Sequence, residues 1–176
     1  MTRTVPLTIM PAGSQWPFTG SPLAIPGTIQ AEDFDGGGEG TAYHDASRGN
    51  DGNAYRATDV DIEATADTGA GWNVGWAEPG DWLEYTVSIA AAGTYTLEAR
   101  VASPAAAGTF HVEVDGFNKT GAMIVPDTGG WQTWTTVSQP VALDAGVHIL
   151  RLSFDAQGPS GTIGNFNWIR FTLESP

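Results

Sequence analysis

The segment Thr94-Tyr-Thr-Leu-Glu-Ala-Arg-Val101 alternates polar and apolar side chains at every step. Successive side chains of an extended strand point to opposite faces, so the four apolar residues of this segment are expected to face a core. The same alternation recurs at Phe110, Val112 and Val114, and Asp115-Gly116 then supplies a turn. Both segments predict half-buried strands of an antiparallel sheet.

Outside these segments, helical periodicity is nearly absent, and short apolar runs are bounded repeatedly by Gly, Pro, Asn or Asp. Further strands are predicted at 28–34, 55–62, 82–87, 134–137, 148–154 and 167–173. This number of short strands in a chain of 176 residues favours two packed antiparallel sheets. The predicted fold class is all-β, a β-sandwich with jelly-roll topology.

The first 22 residues differ in composition from the rest of the chain. They contain four prolines together with Gly, Ser and Thr, which is typical of an extended linker or N-terminal extension. Residues 23–176 are expected to form the module itself. Within it, the glycine-rich stretch 35–53 predicts a long loop, and long loops in compact domains are usually functional.

The charge balance limits the possible partners. The chain has 20 acidic and 7 basic residues, a formal net charge of −13, so it repels nucleic acid and anionic membrane surfaces. It contains no cysteine, which rules out disulfides and thiolate metal sites, and it contains no apolar run of the roughly 18 residues that a membrane span needs. A soluble monomer that binds neutral ligands or cations is expected.

The sequence offers little support for an enzyme. A glycosidase needs two carboxyl groups about 5 to 9.5 Å apart. Asp81 and Glu84 would lie on opposite faces of a strand, and the adjacent pair Glu32 and Asp33 would as well. The sequence also lacks a Gly-x-Ser-x-Gly elbow and a His-x-x-x-His zinc pair, and His44 stands alone in the long loop.

A metal ion is better supported than catalysis. Gln30 and Glu32 are two residues apart in a predicted strand, so their oxygens would project from one face. Calcium prefers several such oxygens together with backbone carbonyls from a nearby loop. The alternative is that both are ordinary solvent-facing residues, and the spacing alone leaves both interpretations open.

The tryptophans carry the strongest functional signal. Trp76 ends Gly-Trp-Asn-Val-Gly-Trp and Trp131 follows Thr-Gly-Gly, so both rings lie in glycine-rich turns rather than inside strands. Pyranose rings present C–H faces that pack against indole, while amides and carboxylates bind the hydroxyls. These two rings are candidate walls of a sugar site, with Asn165 at its rim. Three others lie in predicted strands and are expected to plug the sandwich: Trp82, Trp134 and Trp168.

Five stretches together resemble the family 6 carbohydrate-binding modules, non-catalytic domains attached to secreted polysaccharide hydrolases. They follow the family's order and span the chain from about residue 23 to its end. The stretches are Ile29-Gln-Ala-Glu-Asp-Phe34, Asn73-Val-Gly-Trp76 with Gly80-Asp-Trp-Leu-Glu-Tyr85, Tyr95-Thr-Leu-Glu-Ala-Arg-Val-Ala-Ser103, Thr128-Gly-Gly-Trp-Gln-Thr-Trp-Thr-Thr136 and Asn165-Phe-Asn-Trp-Ile169.

The resemblance implies a jelly roll whose main site lies in the loops at one end. It implies that Trp76 and Trp131 sandwich a sugar and that Asn165 bonds its hydroxyls. An acidic residue from the loop after the first strand often joins them, for which Glu39 is the nearest candidate. Tyr43, in the long 35–70 region that could wall off the end cleft, is also a candidate ligand-binding residue.

The resemblance also implies a structural calcium ion. Its ligands would be Gln30, Glu32, the Trp72 carbonyl and Asn167, and its role would be to hold the first and last strands together rather than to react.

The function implied is non-catalytic binding of a neutral β-linked polysaccharide, which keeps an attached glycoside hydrolase domain near its substrate. β-1,3-Glucan bound at chain ends is favoured, with agarose or xylan as alternatives, and the parent protein is expected to be secreted by a bacterium. Two other functions stay open: a small glycoside hydrolase or lyase with an unrecognised acidic pair, and a purely structural accessory domain.

Overall fold

The computed structural model describes residues 13–159 and 161–174. Strands dominate this range, and in it no helix is long and apolar enough to cross a membrane. The strands are β1 Leu23–Ile25, β2 Gly27–Gln30, β3 Tyr43–His44, β4 Ile62–Ala64, β5 Trp72–Val74, β6 Trp82–Ile89, β7 Gly93–Ser103, β8 Thr109–Val114, β9 Phe117–Asn118, β10 Met123–Ile124, β11 Gly130–Leu143, β12 Gly146–Ala156 and β13 Asn165–Leu173. A short 3-10 helix covers Ala31–Asp33.

The strands form two sheets. One sheet has the order β1-β6-β12-β8-β10, with β3 also pairing with β6 and β9 with β8. The other has the order β11-β7-β13-β5-β4, with β2 also pairing with β13. The β1–β6 pair is parallel and the pairs that form the rest of both sheets are antiparallel. The predicted all-β jelly-roll sandwich is therefore confirmed.

The core lies between the two sheets and follows the alternation seen in the sequence. The apolar residues of the 94–101 segment are fully buried, and those of β8 are nearly so. Burying each such side chain contributes on the order of 1.5–3 kcal/mol, so this alternation fixes which face of each strand turns inward. Aromatic rings also pack in the core. The Phe166 ring contacts the rings of Phe110 and Phe154 edge-on, and its centroid lies 5.0 Å from each of theirs.

Most predicted strands are present, but residues 55–62 are mainly a turn. Asn53 and Tyr55 have left-handed φ angles of 51° and 62°, and the strand begins only at Ile62. The Arg56 side chain donates to the carbonyls of Phe34 and Glu32, which holds this turn against the 3-10 helix. An apolar-polar alternation therefore coincides here with a loop that a partly buried arginine organises.

Part of the predicted N-terminal extension contacts the module. Residues 1–12 lie outside the described range. Trp16 forms two backbone hydrogen bonds with Gly36, and the Gln15 amide donates to Asp35 at 2.9 Å. The Arg56 guanidinium lies between the rings of Phe18 and Phe34, 4.1 and 3.7 Å from their centroids. Residues 15–18 thus lie along one side of the sandwich.

Candidate functional site

One end of the sandwich is built from two interrupted strand pairings. The β11–β7 register shifts between Gly130 and Trp134, so the three residues between them bulge out of the ladder. The β13–β7 register shifts between Phe166 and Trp168. Bulges of this kind re-aim side chains at the ends of sheets and are frequent beside functional sites. Here they bring the start of β11 beside the start of β13.

The turn before Trp131 is fixed by its own hydrogen bonds. The Thr128 hydroxyl donates to the Ser103 carbonyl at 2.9 Å and accepts the Ser103 N–H at 2.8 Å. Gly129 has a φ of 86°, a conformation that glycine adopts without steric cost. The Thr-Gly-Gly sequence therefore sets the direction in which the Trp131 ring leaves the strand.

Trp76 is held in a strained backbone conformation. Its φ angle is 50°, which is a genuine outlier for a bulky residue and is stable only where the surroundings enforce it. The neighbours supply that restraint, because Gly75 donates to the Asp61 carbonyl and the Ala77 carbonyl accepts the Ile163 N–H. A side chain at Gly75 would meet Asn165 Oδ1 at 2.9 Å, so this glycine allows Asn165 to approach.

Both rings border the same cavity. Trp76 and Trp131 are 45% and 40% exposed, and they line a cavity of about 260 Å³. This volume lies just below the usual range for small-molecule pockets, about 300–1,000 Å³. The remaining lining residues are polar: Glu63, Gln132, Thr162 and Asn165. The cavity thus combines two apolar ring surfaces with a polar floor.

Three side-chain amides converge on one carboxylate oxygen in this cavity. Glu63 Oε1 accepts hydrogen bonds from Gln132 at 2.8 Å, Asn165 at 3.0 Å and Asn73 at 3.3 Å. The Asn165 amide also donates to the Trp131 carbonyl at 3.0 Å, which ties the two strands together. With both amide hydrogens of Asn165 engaged, its Oδ1 is left to accept a ligand hydroxyl.

The structure brings three of the five candidate ligand-binding residues together and places the other two elsewhere. Trp76, Trp131 and Asn165 line the cavity. Glu39 instead pairs with His44, and Tyr43 is 6% exposed, with its ring edge-on against the buried Phe34. Neither Glu39 nor Tyr43 is among the residues that line this cavity, and Tyr43 belongs to β3, which pairs with β6.

The carboxylate of the cavity is Glu63, which sequence reasoning did not select. It lies at the centre of β4 and pairs with Asn73 on β5, and no local motif marked it. Gln132 could have been found from the sequence, since it directly follows Trp131 of the Thr-Gly-Gly-Trp motif.

The three tryptophans of the predicted strands lie outside the cavity. Trp82, Trp134 and Trp168 are half-buried within strands, and guanidinium groups cover the rings of Trp82 and Trp168.

The candidate calcium residues lie around the C-terminal end of β2. The strand stops at Gln30, and Glu32 lies in the 3-10 helix, so the two do not share one strand face as expected. That helix packs against β5, which begins at Trp72, and against β13, which contains Asn167. The end of β2 and the last strand, β13, therefore both lie beside the 3-10 helix that contains Glu32.

The residues at this place fit a hard cation. Glu32 is 5% exposed and its Oε2 has no hydrogen-bond partner among the described residues. Burial raises the pKa of Glu32 to about 7, although backbone hydrogen bonds from Glu32 itself and Trp72 lower it in part. Asn167 Nδ2 donates to Asp67 at 2.9 Å, which leaves the amide oxygen for a ligand. Gln30 is exposed.

The oxygen atoms available around Glu32 are of mixed type. No group of three or more His, Cys, Asp or Glu side chains that could hold a metal occurs within residues 13–159 and 161–174. Calcium at Glu32 would therefore depend on amide and carbonyl oxygens besides one carboxylate, which is a donor set that calcium accepts.

Comparison with known proteins agrees with this architecture. The family model for "Carbohydrate binding module (family 6)" matches residues 52–173. The chain is 37% identical over 120 residues to the clotting factor G alpha subunit of Tachypleus tridentatus, which covers 67% of this chain and 17% of that protein. The chain spans less than a third of the length of the curated relatives it matches.

Two solved structures are similar over nearly their whole length. One is a family 6 module of lichenase 5A from Cellvibrio mixtus in complex with cellotriose, with 35% identity, a TM-score of 0.64, and coverage of 85% of this chain and 98% of that chain. The other is a β-1,3-glucan-binding family 6 module from Bacillus halodurans, with 29% identity, a TM-score of 0.67, and coverage of 87% and 100%. The chain therefore belongs to family 6 of the carbohydrate-binding modules.

Proposed function

We propose that this module binds a neutral β-linked polysaccharide by holding a sugar ring between Trp76 and Trp131. The observation that carries the proposal is the exposure of both rings on one cavity whose floor is polar. A pyranose has the same two-sided character, with apolar C–H faces and a rim of hydroxyls. In this arrangement Asn165 Oδ1 and the Glu63 carboxylate accept hydroxyl hydrogens from the sugar rim.

The favoured ligand is a β-glucan, and β-1,3-glucan in particular. One structural neighbour was solved with cellotriose and another binds β-1,3-glucan, so both neighbours support a glucan. Glu63 belongs to the long 35–70 region and lines the cavity. This contribution is consistent with a region that walls off the cleft and so favours the ends of glycan chains. Affinity gels cast with laminarin, cellulose derivatives, xylan and agarose test this choice, and retardation by laminarin alone or most strongly is expected.

The geometry favours binding over hydrolysis. Of the described residues that line the cavity, one is a carboxylate, and its Oε1 already accepts three amide hydrogen bonds. A glycosidase requires a pair of carboxyl groups placed across the scissile bond. Incubating the pure module with the same glycans and assaying reducing ends separates the two functions, because product formed at a steady turnover would establish the enzyme instead.

Replacing Glu63 with glutamine is expected to weaken glycan binding by about tenfold or more. A hydrogen bond to a charged acceptor contributes about 1.5–3 kcal/mol. In the glutamine variant the three amide donors would occupy the single oxygen, and the remaining NH2 group could not accept a hydroxyl hydrogen. Isothermal titration gives the affinity, and a thermal melt of the same variant shows whether the fold is retained. An unchanged affinity would remove Glu63 from the ligand contacts.

The second part of the proposal is a structural calcium ion at Glu32, with the Trp72 carbonyl, Asn167 and Gln30 as further ligands. It rests on the buried, unpartnered carboxylate oxygen, because a desolvated charge is costly unless a counter-charge meets it. The ion would join the 3-10 helix after β2 to the start of β13 and leave the sugar cavity untouched. It would stabilise the fold without taking part in ligand contacts.

We further propose that the module is non-catalytic, secreted, and attached to a glycoside hydrolase whose substrate it holds nearby. Linking a binding module to a catalytic domain raises the effective substrate concentration even when the module binds weakly. Removing the module from the parent protein should slow hydrolysis of insoluble glucan while leaving hydrolysis of a short soluble substrate unchanged.

A further inference from the structure

The hairpin formed by β4 and β5 carries Glu63 into the sugar cavity but has little backbone pairing to the rest of its sheet. β4 is the edge strand, and β5 pairs with β13 at the single position Phe166–Val74. The loop 65–71 connects the two strands. A two-stranded hairpin is marginally stable by itself, so contacts outside the ladder must help to fix its position.

Asp67, in the loop of this hairpin, makes a dense set of such contacts. Its two carboxylate oxygens accept the Arg100 Nε–H and Nη2–H, each at 2.8 Å, which is the bidentate geometry of a strong ion pair. Oδ2 also accepts the Asn167 amide and Oδ1 the Thr68 N–H, both at 2.9 Å. The Asp67 side chain is only 6% exposed. The bonds from Arg100 lower the pKa of Asp67 to about 2, so the carboxylate is ionised at neutral pH.

Arg100 provides a firm anchor for this ion pair. It lies on β7, which is flanked by β11 on one side and by β13 on the other. Arg100 pairs with Thr136 and with Trp168 in these two strands, and its Nη1 donates to the Thr136 hydroxyl at 3.3 Å. The ion pair therefore ties the loop of an edge hairpin to an interior strand of the same sheet.

Gln132 connects the loop of the hairpin to the floor of the sugar cavity. Its Oε1 accepts the N–H of Ala66, the neighbour of Asp67, at 2.8 Å. Its Nε2 donates to Glu63 Oε1 at 2.8 Å and to Asn73 Oδ1 at 3.0 Å. One amide group thus contacts the loop and both strands of the hairpin, and Gln132 itself lines the cavity. A loop that shifts away from Gln132 would take the Glu63 carboxylate out of place.

We propose that Asp67 is a positioning residue for glycan binding. Through its ion pair with Arg100 it holds the hairpin in place, so that Glu63 and Gln132 present a fixed polar floor to the sugar. Asp67 does not line the cavity and acts through these two residues. Polar groups that are already ordered cost less free energy to fix when a ligand binds. This inference rests on the proposed sugar site and adds the contacts that set its geometry.

The test is isothermal titration of laminarihexaose and cellohexaose into Asp67→Asn. This substitution keeps the size of the side chain, removes its charge and turns an NH2 group toward hydrogen-bond donors. The affinity for the better of the two glycans is expected to fall by about three- to tenfold. Glu98→Gln is the matched control, because it breaks another ion pair between β7 and β13, Glu98–Arg170 at 2.8 Å, away from the hairpin. It should bind like the wild type.

A double-mutant cycle separates positioning from a general loss of stability. In a Glu63→Gln background, Asp67→Asn is expected to lower the affinity by less than about twofold, because a residue that acts through another has little effect once that residue is changed. Lower stability alone would not depend on the background in this way. Arg100→Lys keeps the positive charge but loses the bidentate geometry, and this milder variant serves in the same cycle if Asp67→Asn does not fold.

The titrations are run both in calcium and in EDTA, since Asn167 is also a proposed calcium ligand, and the same loss is expected in both. Four results would overturn the positioning role: unchanged affinity in Asp67→Asn, an equal loss in Glu98→Gln, a loss confined to EDTA, or the full loss retained in the Glu63→Gln background. If the wild type binds neither hexasaccharide, the proposed function fails and this inference fails with it.

Discussion

Replacing Trp76 or Trp131 with alanine is expected to reduce affinity for the preferred glycan by at least about 10- to 100-fold, to the limit of detection for short oligosaccharides. Each ring supplies one wall of the cavity, and losing one wall leaves a sugar face in water. The apolar contact removed is on the order of 1.5–3 kcal/mol, and each tenfold in affinity corresponds to about 1.4 kcal/mol. Isothermal titration of both single variants measures the effect.

Folding should be little affected by these two substitutions, because both rings lie at the surface outside the buried core. Trp76→Ala also places a smaller residue at a left-handed φ, which relieves crowding but retains some backbone strain. Phe117→Ala is the matched control, since this aromatic residue is 71% exposed at the start of β9 and does not line the cavity. Wild-type affinity in both tryptophan variants would exclude the end cavity as the binding site.

Calcium is expected to raise the melting temperature of the wild-type module by roughly 5–10 °C when present at a hundredfold excess over its dissociation constant. Binding at that concentration adds about 2.7 kcal/mol of stability, and each kcal/mol shifts the midpoint of a protein of this size by about 2–4 °C. In Glu32→Gln the shift should disappear. In EDTA the variant should melt no lower than the wild type, because its neutral amide avoids burying an unpaired charge.

Glu113→Gln is the control for the calcium experiment. Glu113 is a partly buried glutamate that pairs with His111, and it lies on β8 in the opposite sheet. This variant should keep the full calcium shift, whatever its own stability. A calcium shift of equal size in Glu32→Gln, or none in the wild type, would contradict the proposed site.

Much of the fold could be predicted because strand alternation reports directly on burial. The segment around Tyr95 and Leu97 alternates in the sequence and is buried on the expected face. The prediction failed at 55–62, where Tyr55 looks like a strand residue but adopts a left-handed turn. Its cause is long-range: Arg56 reaches carbonyls more than twenty positions earlier in the chain. No local pattern encodes such a contact.

The candidate site was predictable only where local sequence sets local geometry. Trp76, Trp131 and Asn165 follow short motifs whose turns aim the side chains, and the structure gathers them on one cavity. Glu63 could not be found this way, because its position depends on β4 pairing with β5 at the edge of the sheet. Glu39 was selected for its position in the loop after the first strand, but in the structure it pairs with His44 and is not among the residues that line the cavity.

The central claim is that a sugar lies between Trp76 and Trp131. The chain contains seven tryptophans, so seven indole N–H resonances can be followed while a laminari-oligosaccharide is titrated into labelled module. We expect the largest shifts at Trp76 and Trp131, with the resonances of Trp82 and Trp168 nearly unmoved. Saturable binding that leaves Trp76 and Trp131 unmoved and shifts the resonances of the sheet tryptophans would contradict the account.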